Sequence, residues 1–349
     1  MKQGKKGSFA TSTVVLVIAL FASVAAGCVL GAADIGIGDV IRVIASKMPI
    51  LGRAVHISDI PDGTQSIIWH LRLPRVLLAA VVGGSLAGAG VVFQAVFRNP
   101  MADPYLLGTS AGASLGGALA ILMGIGFSLP GISGTGVMAF LGGIGSVSLV
   151  YGIARIRGRI STATLLLSGI AVSAFLTAVI SLLLLFHHEN IQRVVFWTMG
   201  GFSGVRWDSV ASVVPGMLIA LIVIGMSRRE LNMLLMGDET AAHLGVSVDA
   251  VKRRMLIVGA LLAGLSVSVS GVIGFVGLIV PHMVRLVVGP DHRRLLPVSF
   301  LAGAVFLIIA DLLARSLVPP IEIPVGIVTA LFGAPFFLYL LIRRKKEVA

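Results

Sequence analysis

Pro74-Arg-Val-Leu-Leu-Ala-Ala-Val-Val-Gly-Gly-Ser-Leu-Ala-Gly-Ala-Gly-Val-Val-Phe-Gln-Ala-Val-Phe97 carries one charge in 24 residues. A helix needs about 20 apolar residues to cross a hydrocarbon core about 30 Å thick. A chain in that solvent must satisfy its backbone internally, so the run is a helix. Working outward, comparable runs recur at 9–31, 105–126, 135–154, 162–186, 208–227, 255–273, 276–289, 295–315 and 324–342. The pattern predicts about ten transmembrane helices in an all-α polytopic membrane protein. The eighth run is short and follows Gly271-Val-Ile-Gly-Phe-Val-Gly277, which reads as a helix broken at depth.

The composition agrees. The 349 residues are 57% hydrophobic and 12% charged, whereas soluble domains carry about 25% charge. Forty-three glycines without a triplet period exclude collagen, and the apolar content excludes disorder. The net charge of +12 would suggest nucleic acid in a soluble protein, but here its location decides. With the N-terminus placed in the cytoplasm and ten crossings, 19 of the 27 Lys and Arg fall inside. They include Lys2, Lys5, Lys6, Arg155, Arg157, Arg159, Arg228, Arg229, Lys252, Arg253, Arg254 and the Arg343–Lys346 tail. The whole excess is then a positive-inside signal, with both termini cytoplasmic and no nucleic-acid partner.

The first apolar run, 9–31, exceeds a signal-peptide core and is expected to stay as a helix. Cys28, the single cysteine, then serves as a small packing residue. Segment 32–73 is an outer loop with a short interfacial helix around Val40, Ile41, Ile44 and Ala45, capped by Asp39. Trp197 and Trp207 flank a second outer loop and suit the membrane–water interface.

Between the spans 74–227 and 255–342 lies a cytoplasmic loop, 228–254, flanked by arginine pairs. Gly237 stops one short helix, Asp238 caps a second, and Gly245 ends it at Leu244. Met233, Leu234, Leu235, Met236, Ala241, Ala242 and Leu244 then make an apolar knuckle, either a docking surface or an element lying on lipid. Asp238, Glu239 and Asp249 favour docking.

Catalytic patterns are missing. No Gly-x-x-x-x-Gly-Lys-Ser/Thr string is present, so ATP binding by a P-loop is excluded. Gly131-Ile-Ser-Gly134 is a chance string in an outer loop, and the histidines lack metal-ligand spacing. No cofactor or metal is expected. Gly84/Gly88 and Gly108/Gly112/Gly116 repeat every four residues, a spacing for close helix packing. Asp311 in the ninth run needs a partner, and Arg315 at i+4 is the nearest candidate for a structural ion pair. Arg72, Arg75 and Arg315 face outward, either as snorkelling anchors or as a basic rim for an acidic partner.

Six stretches in order resemble the FecCD-type permeases of ABC importers, which carry ferric siderophores, haem and vitamin B12. They are Leu71-Arg-Leu-Pro-Arg75, Gln94–Gly112, Met199-Gly-Gly-Phe202, Gly274–Arg285, Asp291-His-Arg-Arg-Leu-Leu-Pro297 and Ile323–Pro335. The resemblance implies a BtuC-like type II importer fold in the bacterial inner membrane. Helices 2–5 and 7–10 would form an inverted repeat within a single permease domain running to residue 349. It also implies a non-catalytic subunit working with two copies of a separate ATPase, a substrate-binding protein and a second permease subunit in a homodimer. By that resemblance the ATPase meets Leu234, Leu235, Met236, Gly237, Asp238, Glu239, Ala241, Ala242, Leu244 and Gly245. The binding protein meets Arg72, Arg75 and Arg315. A ferric siderophore is the first expectation for the cargo, with cobalamin and haem after it. The competing class is an ion-coupled carrier, disfavoured by the scarcity of buried acids.

Overall fold

The computed structural model describes residues 4–31, 33, 35–49, 52, 55–129, 131–156 and 159–348. Lys2 and Arg157 of the charge pattern lie outside the described residues, as do the side chains of Lys5, Lys6, Arg159 and the Arg343–Lys346 tail. Helix α1 (Gly4–Val29) leads to the segment expected on the outer side, with α2 (Ile37–Ser46) and α3 (Asp62–Ser66). Then come α4 (Leu73–Val96), α5 (Thr109–Leu122), α6 (Gly134–Ala154) and α7 (Thr162–Phe186). The amphipathic α8 (Ile191–Thr198) precedes α9 (Trp207–Met226) and two short helices, α10 (Arg228–Leu234) and α11 (Asp238–His243). The chain ends with α12 (Val248–Ser270), α13 (Val276–Val288), α14 (His292–Ser316) and α15 (Val325–Val348). Two hairpins of two-residue strands, β1 (Ser128–Leu129) with β2 (Ile132–Ser133) and β3 (Arg155–Ile156) with β4 (Arg159–Ile160), are the strands among the described residues.

Each of the ten apolar runs is a helix, but their lengths differ. Seven are long and apolar enough to cross a membrane, while Thr109–Leu122, Val276–Val288 and Val325–Tyr339 are shorter apolar helices. The break expected before the eighth run is present, because Phe275 caps α13 with a left-handed backbone (φ 70°). The third run, expected at 105–126, is broken in the same way. A 3₁₀ turn, Pro104–Leu107, is capped by the Asp103 carboxylate, and Gly108 (φ 76°) then starts α5. Helix α12 begins at Val248 rather than 255, so the loop before it is shorter than expected. On the outer side, the residues before α4 form a π-helical turn, Ile67–Arg72, that runs straight into it. Pro74 lacks an N–H for the helical ladder, and a wider turn just before it accommodates that gap.

These lengths repeat. A long helix, a left-handed break, a short helix and two long ones occur first as α4–α7 and again as α12–α15. The packing is reciprocal: α4 lies against α13 and α14, while α12 lies against α5 and α6. Without a hydrophobic reward for joining helices in lipid, such contacts depend on backbones approaching closely. Gly90 of α4 touches the Gly277 backbone of α13, and Gly112 of α5 touches Gly142 of α6. Gly108 of the four-residue glycine ladder serves as a cap instead.

Two local expectations change, and a third residue finds its role. Asp39 is not the cap of α2; Gly36 holds that position, and Asp39 pairs with Arg42 at 2.7 Å. Trp197 is not an interfacial anchor, since its ring packs over Gly117 against Ala113, Ala139 and Val267. Ser133 of the Gly-x-Ser-Gly string caps α6 by accepting the Gly136 N–H at 3.1 Å.

Any side chain at position 90 collides with the Gly277 carbonyl. Gly90→Val is therefore expected to cost about 1–3 kcal/mol or more, read as a lowered thermal midpoint in detergent. Gly145→Val meets open space and serves as the neutral control.

Candidate functional site

The chemistry-bearing side chains gather at the two ends of the bundle. At the outer end, Arg72, Arg75 and Arg315 line one recess of about 670 Å³ together with Glu322, Ser203 and Phe202. Each arginine has a different set of partners. Arg72 is buried, and its guanidinium donates to the carbonyls of Cys28 (2.8 Å), Val29 (2.7 Å) and Ala33 (2.6 Å). It therefore closes the outer end of α1, whose last carbonyls have no helical partners. Arg315 reaches the same end, donating to the Gly27 carbonyl.

Asp311 is 2% exposed, and its main partner is not the neighbour at i+4. Arg75 donates to it from Nε (3.0 Å) and Nη2 (2.9 Å) in a bidentate grip between α4 and α14. Arg315 Nε stands off at 3.8 Å, so the expected pair is the weaker member of a triad. The remaining Arg75 nitrogen, Nη1, donates to Glu322 at 2.9 Å, and Ser203 Oγ donates to the same carboxylate at 2.5 Å. Arg75, Ser203 and Glu322 also line a second, serine- and glycine-rich cavity of about 510 Å³ that reaches Trp197 and Ser270. These three side chains form the wall between the two spaces.

At the inner end, α10 and α11 form the knuckle. Leu231, Leu234 and Ala241 are fully buried and hold it onto the body, contrary to the expected exposure of Leu234 and Ala241. Leu235, Met236, Glu239, Ala242, Leu244 and Gly245 are exposed. Gly237 (φ 109°) is the cap of α11, and Asp238 is its first residue rather than its cap. The Asp238 carboxylate takes Lys252 Nζ at 2.5 Å, and Glu230 takes Arg254 at 3.0 Å, so both short helices are tied to α12. Asn232 ties α10 to the start of α14 through Asp291 and His292. Beside the knuckle runs a groove of about 630 Å³ lined by Met226, Met233, Leu244, Arg229 and Arg254.

Glu322 and Asn232 had not been singled out in the sequence. Glu322 had a signal, as the single charge between Pro320 and Pro324. Asn232 had none, because its importance lies in a neighbour 59 residues away. Among the described residues no group of His, Cys, Asp and Glu could hold a metal ion.

The family profile for FecCD transport matches residues 15–343. The chain belongs to the FecCD transport family. Members similar to it include the cobalamin import system permease protein BtuC of Halobacterium salinarum, 49% identical over 83% of this chain and 76% of that protein. The hemin transport system permease protein HmuU of Yersinia pestis is 42% identical over 81% of this chain and 86% of its own. The Fe(3+) dicitrate transport system permease protein FecD of Escherichia coli is 39% identical over 80% and 86%. A solved chain described as a metal-chelate type ABC transporter in an inward-facing conformation superposes with a TM-score of 0.81 at 32% identity, covering 95% of this chain and 98% of that one. Family membership makes this chain a multi-pass permease of an ABC importer, with the ATPase as a separate subunit.

Removing the Asp311 charge strips Arg315 of its carboxylate and leaves Arg75 with Glu322 alone. Asp311→Asn is expected to lower stability by about 3–5 kcal/mol, measured by thermal unfolding of the purified permease. Glu322→Gln, at the half-exposed end of the same network, should cost under about 1 kcal/mol.

Proposed function

We propose that the chain translocates a large metal chelate from an outer substrate-binding protein to the cytoplasm, driven by an ATPase seated on the α10–α11 knuckle. The observation carrying this reading is the inner knuckle itself. Leu235, Met236 and Leu244 project from two short helices that three polar ties hold to α12 and α14. Exposed apolar side chains on a rigid mount suit a protein partner, and a partner that moves the mount moves the spans attached to it. This reading places α10, α11 and both termini in the cytoplasm, in keeping with the Lys and Arg distribution.

At the other end, the recess lined by Arg72, Arg75 and Arg315 is the proposed landing site of the binding protein. Three arginines against Asp311 and Glu322 leave it net positive, which suits acidic groups on the partner. The cavity behind the Arg75–Glu322 wall is lined by serines and glycines and holds no tight polar cage, in keeping with weak retention of a bulky cargo in transit. Helix α7 leaves Leu167, Phe175 and Phe186 unpacked, and α15 leaves Leu331 and Phe332, faces available to a second permease copy. Relatives named for cobalamin, hemin and ferric dicitrate support a metal chelate as the cargo. Cobalamin is the first chelate to test, since the relative named for it shares 49% identity.

The test is uptake into proteoliposomes containing permease and ATPase, with loaded binding protein supplied at the outer face. ATP-dependent accumulation of the chelate is expected; uptake driven by a proton gradient without the ATPase would sink the proposal. Met236→Asp with Leu244→Asp should cut that uptake about tenfold or more and leave the permease's thermal midpoint unchanged. Leu234→Asp should instead lower the midpoint, because it buries a carboxylate.

A further inference from the structure

The tie between α10 and α14 differs from the others at the knuckle. It consists of one neutral side chain that gives and receives at once. Asn232 Nδ2 donates to Asp291 Oδ1 at 2.7 Å. Its Oδ1 accepts the backbone N–H of His292 at 2.9 Å and faces His292 Nδ1 at 2.7 Å. An amide oxygen cannot donate, so Nδ1 carries the proton. His292 is fully buried, so these bonds are made away from water.

Asp291 is also the cap of α14, accepting the Arg293 N–H at 3.0 Å. Burial pushes its carboxyl up, but the hydrogen bonds from Arg293 and Asn232 and the nearby charges of Arg293 and Arg294 outweigh this, holding it below the usual carboxylate range. It is therefore a charged acceptor at neutral pH. The grip is present there and lost as the pH falls through that lowered value.

Helix α14 runs 25 residues from this point, and Asp311 lies 20 residues past Asp291. At 1.5 Å per residue the separation is about 30 Å. Its inner end is held by the knuckle and its outer end by Arg75 and the α1 carbonyls. Pro297 removes one hydrogen bond from the ladder just beyond the tie, so the first turn of α14 is the part that yields first. The ties of α11 and of Glu230 lead instead to α12. The Asn232 tie leads to the helix that reaches the outer arginines.

We propose that Asn232 is the positioning residue through which movement of the knuckle is delivered to α14, and that the Asn232–Asp291–His292 contact couples ATP use to the outer recess. This rests on the reading of the knuckle as the ATPase seat. The contact can be tested by exchanging its donor and its acceptor. In Asn232→Asp, two carboxylates confront each other across the donor position. Adding Asp291→Asn removes the repulsion and restores one bond, now donated from the residue 291 amide to residue 232, in exchange for the cap bond from Arg293, because one oxygen, Oδ1, serves both contacts in the wild type.

The experiment measures chelate transported per ATP hydrolysed in proteoliposomes of the complete complex, for the wild type, both single variants and the double variant. Asn232→Asp is expected to lower the ratio about tenfold, with co-purification of the ATPase unchanged. The double variant is expected to return to within about twofold of the wild type. A wild-type ratio in Asn232→Asp, or a double variant as impaired as the single, would overturn the proposal. Thermal unfolding of the permease alone, across the same four proteins, reads the contact without any transport. A midpoint that falls in Asn232→Asp and recovers in the double variant supports the bond. If it does so while the wild-type complex fails to transport, the functional reading is the part that has failed.

Discussion

Helix α4 can pack only where its neighbours' backbones come almost into contact with its own. In lipid the apolar surfaces of two helices gain nothing by leaving solvent, so association depends on close packing and on polar groups finding one another. Helix α4 meets both conditions. It touches α1, α9, α10, α12, α13 and α14, and 83% of its most apolar window is buried. Gly90 admits the Gly277 carbonyl, and Arg75 fixes the outer end through Asp311. The second half of the bundle is assembled against this helix, so the spacing of glycines along it governs how the two halves meet.

The gross plan was legible because the bilayer constrains it so tightly. An apolar run about 20 residues long has one structural option, and all ten runs became helices. The break before α13 announced itself in Gly271–Gly277, whereas the matching break before α5 did not. There the turn is made by Asp103 capping Pro104–Leu107, and no glycine cluster marks it. Boundaries failed where polar residues continue a helix beyond the lipid. Val248–Arg254 looks like loop by composition, yet Lys252 is buried against Asp238 and the helix runs through it.

The sites were legible in their residue types and not in their pairings. Asp311 demanded a partner, and spacing along one helix offered Arg315, whereas the bidentate partner lies 236 residues earlier. The same limit applies to the knuckle. A short helix with Met and Leu on several sides reveals its apolar character, but not that Leu231 and Leu234 face the body while Leu235 and Met236 face away. Which face docks depends on where α14 and α12 lie, and neither position is written locally.

The grip on α1 has a consequence for the whole molecule. This helix belongs to neither repeat, yet its last carbonyls are held by Arg72 from the entrance of the first and by Arg315 from the second. Both hands close on one helix end, Arg315 on Gly27 and Arg72 on Cys28, Val29 and Ala33, only while the outer ends of the halves keep their mutual register. The first helix is thus a strap across the seam. Any rearrangement that slides one half past the other must either carry it along or loosen it at this buckle.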